Sequence, residues 1–134
     1  MKILFVCEYN ACRSQMAEGL ARKLLSEDFS IHSAGLHPGD LNGITVEVMQ
    51  EIGVDLSGQY SKRLAAVQEV FFDLVVVLAE PAWQAVQNIQ AKQRVLWHFP
   101  DPVGDPGSFE ELKEKIRIVR DGIKERIQQM AQGK

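Results

Sequence analysis

The sequence predicts an α/β protein with three layers, in which a four-stranded parallel sheet carries helices on both faces. Strand and helix signals alternate along the whole chain, and the first strand is apolar at successive positions. A strand that is apolar throughout is buried on both faces, which is typical of parallel sheets joined by helical crossovers. The chain shows no linker or internal repeat, so we expect residues 1–134 to form a single domain.

The first half of the chain contains two predicted strands and two predicted helices. Residues 2–7 form the first strand, and apolar residues then recur at helical spacing over 14–26. A short second strand, 29–33, is followed by a long loop that contains Pro38. A second helix with an apolar face stops at Gly53, because glycine commonly ends helices.

The second half continues the alternation after an irregular stretch over 54–68. Residues 71–78 form the clearest central strand. Pro81, at a first-turn position, opens a predicted helix with one apolar side. A fourth strand covers 95–97, and a Pro/Gly-rich loop leads to a last helix whose apolar residues lie three or four apart over 109–127.

Composition and charge exclude several classes of function. The net charge of −3 leaves no cationic surface for nucleic acid, so no nucleic acid partner is expected. No apolar stretch approaches membrane-spanning length and no signal peptide is apparent, so we expect a cytoplasmic protein without membrane contact. The three histidines show no metal-ligand spacing with a cysteine, and glycine-rich nucleotide motifs are missing, so neither metal nor cofactor is expected.

The predicted functional site is the stretch Cys-Glu-Tyr-Asn-Ala-Cys-Arg-Ser, residues 7–14, between the first strand and the first helix. At such a junction, backbone N–H groups and the helix N-terminus can surround a tetrahedral oxyanion. Arg13 supplies a two-pronged donor for two anion oxygens. The same charges stabilise a thiolate, so Cys7 is predicted to be the nucleophile, with the Ser14 hydroxyl donating to its sulfur.

Ser14 is also a candidate for substrate contact, together with the remaining residues of the stretch: Glu8, Tyr9, Asn10, Ala11 and Cys12. Glu8 either flanks the pocket entrance, disfavouring acidic peptides, or is simply exposed to solvent. Tyr9 is either a wall for an aryl ring or part of the rim packing. The alternative for the whole motif is a buried structural cysteine with Arg13 as a surface charge; the strand-to-helix context favours a catalytic site.

A candidate general acid lies in the loop after the fourth strand. The carboxyl ends of parallel strands meet at one edge of the sheet, where ligands of such folds bind. Thiolate attack on a phosphate ester needs a carboxyl group that protonates the leaving oxygen and then deprotonates a water. Asp101 and Asp105 are both in this loop, although a turn carboxylate beside a proline explains either position equally well.

These motifs resemble those of a known family. The run from Val6 to Gly19, then Ser33-Ala34-Gly35, then Asp101-Pro102 is similar to the low-molecular-weight protein tyrosine phosphatases and to the arsenate reductases built on their fold. The resemblance covers essentially the whole chain. It implies the low-molecular-weight phosphatase fold and no metal requirement.

The resemblance also implies a role for individual residues. Cys7 corresponds to the nucleophile, Arg13 to the oxyanion clamp, and Asp101 to the general acid that later acts as base. The family's loop asparagine matches Asn10, whose side chain is expected to hold the strained loop backbone, and its supporting serine matches Ser33.

Within the family the chain looks more like the arsenate reductases in some positions. Gln15 stands where phosphatases usually have proline, and Val103-Gly104 stand where phosphatases often have tyrosine. Thioredoxin-coupled reductases, however, carry two further cysteines that correspond to the stretch 75–90, which has none. An intramolecular disulfide cascade is therefore excluded unless Cys12 takes part; in phosphatases of this kind, a Cys7–Cys12 pair looks like a reversible guard against over-oxidation.

The supporting residues resemble a potassium site with one difference. In the potassium-binding arsenate reductases, the loop asparagine, a glutamate, a serine and a later acid surround the cation. Asn10, Glu18 and Ser33 match, but Lys62 stands where the acid should be. We hypothesise that the Lys62 ammonium replaces the ion; the alternative is a solvated loop lysine.

On balance the sequence favours hydrolysis of a phosphomonoester, either protein phosphotyrosine or an aryl phosphate, through a cysteinyl-phosphate. The alternative is arsenate reduction, in which a small thiol or glutaredoxin attacks the Cys7 adduct. A second alternative is a non-catalytic module that binds an oxyanion or a phosphoprotein, although such a binder has no need of Asp101. The expected partners are accordingly a phosphorylated protein or a small oxyanion, and a thiol reductant in the second case.

Overall fold

The computed structural model describes residues 1–37, 39–104 and 107–132. Within these ranges, the sheet is parallel with strand order β2-β1-β3-β4 and consists of β1 (Lys2–Cys7), β2 (Ser30–Gly35), β3 (Phe72–Val77) and β4 (Ala91–Leu96). The α-helices are α1 (Arg13–Leu24), α2 (Gly43–Gln50) and α3 (Phe109–Ala131). Short 3₁₀ turns cover Leu64–Val67, Glu80–Ala82 and Ala85–Asn88.

The central strand β1 explains the three layers. Ile3 and Phe5 point to a core that they share with α1, α2 and α3, whereas Leu4 and Val6 point to a second core under the 3₁₀ turns. All four side chains are fully buried. The predicted fold class is therefore confirmed, with α-helices on one face of the sheet and 3₁₀ helices on the other.

The predicted continuous helix from Pro81 is wrong. The chain there forms two separate 3₁₀ turns, although the predicted apolar positions Ala82 and Val86 are buried as expected. The Arg94 guanidinium donates to the carbonyl oxygens of Val86 and Ile89, so a side chain of β4 satisfies carbonyl groups at the end of the second turn. The greater rise of 3₁₀ turns also lets a short connection cover the sheet.

The fourth strand is longer than predicted, because β4 lies at an edge of the sheet. Lys92 and Gln93 are exposed there, so polar residues belong to the strand, and the apolar run that predicts 95–97 marks only its end. The remaining predicted elements overlap the observed ones. No helix in the described ranges combines the length and the apolar composition that crossing a membrane requires.

Helix α3 is attached to the end of α2 by a charged cluster around Glu51. The Arg117 guanidinium donates to Glu51 Oε2 over 2.7 Å, and Arg120 Nη1 donates to Glu51 Oε1 over 2.9 Å. Arg120 Nη1 also donates to the Val48 carbonyl oxygen. The hydrogen bonds from Arg117 lower the pKa of Glu51 from 4.5 to about 2.

We predict that replacing Glu51 by glutamine destabilises the protein in a pH-dependent way. Because the folded-state pKa is depressed, the contribution of Glu51 is present above about pH 4.5 and is lost as the pH falls towards 2. Urea unfolding of the wild type and of Glu51→Gln should therefore give a difference in the free energy of unfolding that shrinks over this range. Glu47→Gln, which removes a single ion pair to Lys113, is the matched control. A difference that does not depend on pH would contradict the prediction.

Candidate active site

The loop between β1 and α1 turns sharply at Asn10. Its φ of 54° lies in the left-handed region, which asparagine tolerates better than most residues. Neighbouring loops support the turn, since Leu36 and His37 donate their backbone N–H groups to the Glu8 carbonyl oxygen. Asn42 donates likewise to the Ala11 carbonyl oxygen. Backbone hydrogen bonds from neighbouring loops thus hold this loop in a curved conformation.

A cavity of about 420 Å³ opens over this loop at the carboxyl ends of the strands. Its walls include the predicted nucleophile, the predicted oxyanion clamp and the predicted acid, Cys7, Arg13 and Asp101. The other lining residues are Tyr9, Ala11, Cys12, Gly39, Asp40, Asn42, Val103 and Gly104. The structure therefore brings the three residues together, although they come from separate parts of the chain.

The Cys7 sulfur has a polar partner underneath the cavity. Cys7 Sγ lies 2.9 Å from Ser14 Oγ, and Ser14 is fully buried. Asn10 Nδ2 donates to Ser14 Oγ over 2.7 Å and to Ser33 Oγ over 3.0 Å. The side chains of Asn10, Ser14 and Ser33 therefore bond to one another on the side of the loop away from the cavity. They support the loop and do not line the cavity.

Arg13 is the first residue of α1, so its guanidinium and the positive end of the helix act on the same cavity. Its Nη1 donates to the Phe99 carbonyl oxygen over 2.9 Å, which connects the anion loop to the loop that follows β4. Its Nη2 lies 3.7 Å from Glu8 Oε1. The sequence allows Glu8 either at the pocket entrance or in free solvent. Glu8 is half-buried, pairs with Arg13 and does not line the cavity.

Asp101 lies on the rim of the cavity and is exposed. The Val103 N–H donates to Asp101 Oδ1 over 3.0 Å, which orients the carboxylate. A side chain at Gly104 would approach Asp101 Oδ2 to 3.3 Å, so glycine leaves the carboxylate uncrowded. Asp105, the other carboxylate considered for the acid, lies outside the described residues, as does Pro38.

The second cysteine of the loop is in a different environment. Both cysteines are free, buried and on the cavity wall, with Cys7 3% and Cys12 6% exposed, so they differ in their polar partners and not in their burial. Burial raises the pKa of the Cys12 thiol to about 12. The Thr45 hydroxyl donates to Cys12 Sγ over 3.2 Å. Cys12 therefore remains a protonated thiol at neutral pH.

The supporting residues Glu18, Ser33 and Lys62 form a cluster on the far side of the loop. The Ser33 hydroxyl donates to Glu18 Oε1, and Lys62 Nζ lies 3.7 Å from the same oxygen. Lys62 Nζ also donates to the Tyr60 carbonyl oxygen over 2.7 Å. Arg22 forms a further ion pair with Glu18 at 2.7 Å. In the described part of the chain, no group of histidine, cysteine and carboxylate side chains is arranged to hold a metal ion.

Residues outside the predicted set also support the loop. Gln15 is fully buried and its side chain bonds to Asn10, and Gln59 bonds to Gln15. Gly35, at the end of β2, has no room for a Cβ, which would lie 2.7 Å from the Asn10 nitrogen. The difference from the phosphatase pattern at position 15 is the sequence signal for Gln15. Gln59 ends the stretch 53–59, which resembles the arsenate reductases, but the sequence does not indicate its contact with Gln15.

Comparison with known proteins gives consistent similarities along the chain. A family model described as low molecular weight phosphotyrosine protein phosphatase matches residues 2–133. An arsenate reductase of Halalkalibacterium halodurans is 39% identical over 131 residues, which are 97% of this chain and 94% of that protein. A solved arsenate reductase in the phosphate-binding state superimposes with a TM-score of 0.79 at 31% identity, covering 98% and 97% of the two chains. Vibrio vulnificus Wzb in complex with benzylphosphonate superimposes with a TM-score of 0.81 at 27% identity, covering 99% of this chain and 98% of that chain.

We predict that potassium has no specific effect on this protein, because the Lys62 ammonium already lies beside Glu18. The thermal unfolding midpoint and the turnover rate should be the same in potassium and sodium chloride at equal ionic strength. Lys62→Asp, which removes the ammonium and restores an acid, should make both quantities respond to potassium. A several-fold activation of the wild type by potassium over sodium would contradict the prediction.

Proposed function

The chain belongs to the low molecular weight phosphotyrosine protein phosphatase family, and on this premise we propose that it is an arsenate reductase whose nucleophile is Cys7. The observation that carries the proposal is the cavity in which Cys7 and Arg13 share one wall at the N-terminus of α1. The sequence favours phosphate ester hydrolysis, but the relatives named arsenate reductase support the alternative better. Gln15, in place of proline, agrees with them.

The first step forms a covalent adduct. Arsenate binds with its oxygens towards the loop N–H groups and Arg13, and the Cys7 thiolate attacks arsenic. A sulfur–arsenic bond forms, and one arsenic–oxygen bond breaks as its oxygen leaves as water. Asp101, on the rim of the cavity, is placed to supply the proton for this leaving oxygen. The arsenic is still pentavalent at this stage.

The second step needs a thiol from outside the protein. The chain has two cysteines, and Cys12 is a buried, protonated thiol with a poor capacity to attack. A small thiol or the thiol of a glutaredoxin attacks the Cys7 sulfur, and a disulfide forms as the sulfur–arsenic bond breaks. The electron pair of the broken bond stays on arsenic, which leaves as arsenite. A second external thiol then reduces the mixed disulfide and restores Cys7.

Phosphomonoester hydrolysis is the second candidate function, and the position of Asp101 favours it. A carboxylate on the cavity rim can protonate the leaving oxygen of an ester and later activate water against a cysteinyl-phosphate. The similarity to a protein solved with benzylphosphonate agrees with this chemistry. Both candidates use the same oxyanion site, and they differ in what releases the Cys7 adduct.

The test measures arsenite released by the reduced protein with arsenate and, in separate reactions, glutathione, mycothiol or glutaredoxin. We expect turnover with at least one reductant, none with Cys7→Ser, and retained turnover with Cys12→Ser. Loss of turnover in Cys12→Ser, with a Cys7–Cys12 disulfide in the wild type, would show an internal resolving thiol instead. A folded protein that binds phosphate but releases no arsenite with any reductant would contradict the proposal.

The second candidate function is tested by measuring the rate at which the same protein preparations hydrolyse aryl phosphates. If it occurs, Asp101→Asn should slow it about 10²- to 10⁴-fold for poor leaving groups and less for good ones, because only poor leaving groups need the proton. Equal losses across leaving groups would argue against the acid role of Asp101. A protein active in neither assay would fit the non-catalytic binding module.

A further inference from the structure

The side chain of Asn10 has a fixed orientation because a backbone group determines it. The Lys62 backbone N–H donates to Asn10 Oδ1 over 2.8 Å, and a backbone nitrogen can only be the donor. Oxygen and nitrogen of the Asn10 amide are therefore assigned without ambiguity. The Asn10 nitrogen must point the other way, where it meets Ser14 Oγ and Ser33 Oγ.

The side chain of Gln15 is fixed in the same manner. Gln15 Nε2 lies 2.9 Å from the Asn10 carbonyl oxygen and 3.0 Å from the Tyr60 carbonyl oxygen, both of which can only accept. Gln15 Nε2 also lies 3.0 Å from a third acceptor, Asn10 Oδ1. Gln15 Oε1 therefore faces the other side, where it accepts from Gln59 Nε2 over 2.7 Å. Gln15 thus holds both the strained backbone and the side chain of Asn10.

These orientations decide which way the Ser14 hydroxyl points. Ser14 Oγ accepts a hydrogen bond from Asn10 Nδ2, so its single proton is free for another partner. Among the described residues, the other recorded partner of this hydroxyl is Cys7 Sγ, at 2.9 Å. When the sulfur is a thiolate, it can only accept, and the Ser14 proton then points to it. A hydrogen bond to the charged form favours that form.

We propose that Gln15 is a positioning residue for the nucleophile. The Lys62 N–H sets which way the Asn10 amide faces, and Gln15 Nε2, which bonds both the carbonyl oxygen and Oδ1 of Asn10, holds the turn in the position from which Asn10 directs the Ser14 proton to the Cys7 sulfur. The proposal rests on the proposed nucleophilic role of Cys7, but it applies equally to attack on arsenate and on a phosphate ester. An aliphatic side chain at position 15 has no donor, and a carboxylate would face the two carbonyl oxygens.

Other groups also act on the Cys7 sulfur, and a substitution at Gln15 leaves them in place. Among the described residues, the titratable side chains that line the cavity with Cys7 are Tyr9, Cys12, Arg13, Asp40 and Asp101. Glu8 acts through its ion pair with Arg13. None of these side chains is recorded in a hydrogen bond to the Gln15 side chain, so removal of its amide changes the support of the loop without changing their charges.

The test is the pH dependence of Cys7 alkylation by iodoacetamide, resolved from Cys12 by fragmenting the modified peptide in a mass spectrometer. Gln15→Met keeps the length of the side chain but removes its donor. We expect the midpoint of the alkylation profile to move to higher pH by about one unit, which is about tenfold slower alkylation at a fixed pH below the midpoint. The assay uses neither arsenate nor a phosphate ester, so its outcome is independent of the proposed reaction.

A double-mutant cycle separates positioning from a general disturbance of the loop. If Gln15 acts through Ser14, Gln15→Met should produce no further shift in a Ser14→Ala background. Gln59→Met also removes hydrogen bonds to Gln15, but the carbonyl oxygens of Asn10 and Tyr60 still orient the Gln15 amide. We expect this control to lose stability without shifting the profile. An unshifted profile in Gln15→Met, or an equal shift in both backgrounds, would overturn the proposal.

A measurement on the wild type covers the case in which Gln15→Met does not fold. The side-chain amide resonances of Asn10 and Gln15 can be followed by NMR through the titration of the thiol. Both should shift with the midpoint of the alkylation profile, since one hydrogen-bonded chain connects them to the sulfur. Amide resonances that stay unchanged through this titration would overturn the proposal.

Discussion

The structure of the site depends on the turn at Asn10. With φ at 54°, this residue redirects the chain from β1 into α1, so that Cys7 and Arg13 reach the same cavity. An asparagine in this conformation is strained unless its surroundings hold it, and here the side chain is fully buried and bonded on both of its amide atoms. Gly35 completes the support, because any Cβ there would collide with the Asn10 backbone.

The two cysteines of the loop show how environment separates the chemistry of identical side chains. Both are buried and line the cavity, but Cys7 ends a strand and has the Ser14 hydroxyl beside its sulfur. Cys12 is the N-cap of α1, and burial raises its pKa to about 12. In the proposed arsenate chemistry the second sulfur therefore comes from outside the protein. In the alternative hydrolysis, Asp101 is the group proposed to activate water.

The local part of the site could be predicted from the sequence, because a strand, a Cys-x5-Arg-Ser motif and a helix follow each other directly. Individual contacts from distant segments could not. The resemblance to a potassium site indicates Lys62, but not that its backbone N–H bonds Asn10 Oδ1, 52 positions away. Gln59 reaches Gln15 across 44 positions, and no spacing in the sequence relates the two. The two 3₁₀ turns over 80–88 could not be predicted either, since no sequence pattern shows that Arg94, a side chain of β4, bonds the carbonyl oxygens of Val86 and Ile89.

The central claim is that the loop binds a tetrahedral oxyanion directly against the Cys7 sulfur. The most direct measurement is the rate of Cys7 alkylation at increasing concentrations of arsenate and of phosphate. Both anions should protect Cys7 along saturating curves, and Arg13→Lys should weaken the protection, because an ammonium cannot hold two oxygens at once. An alkylation rate that neither anion changes would contradict the account.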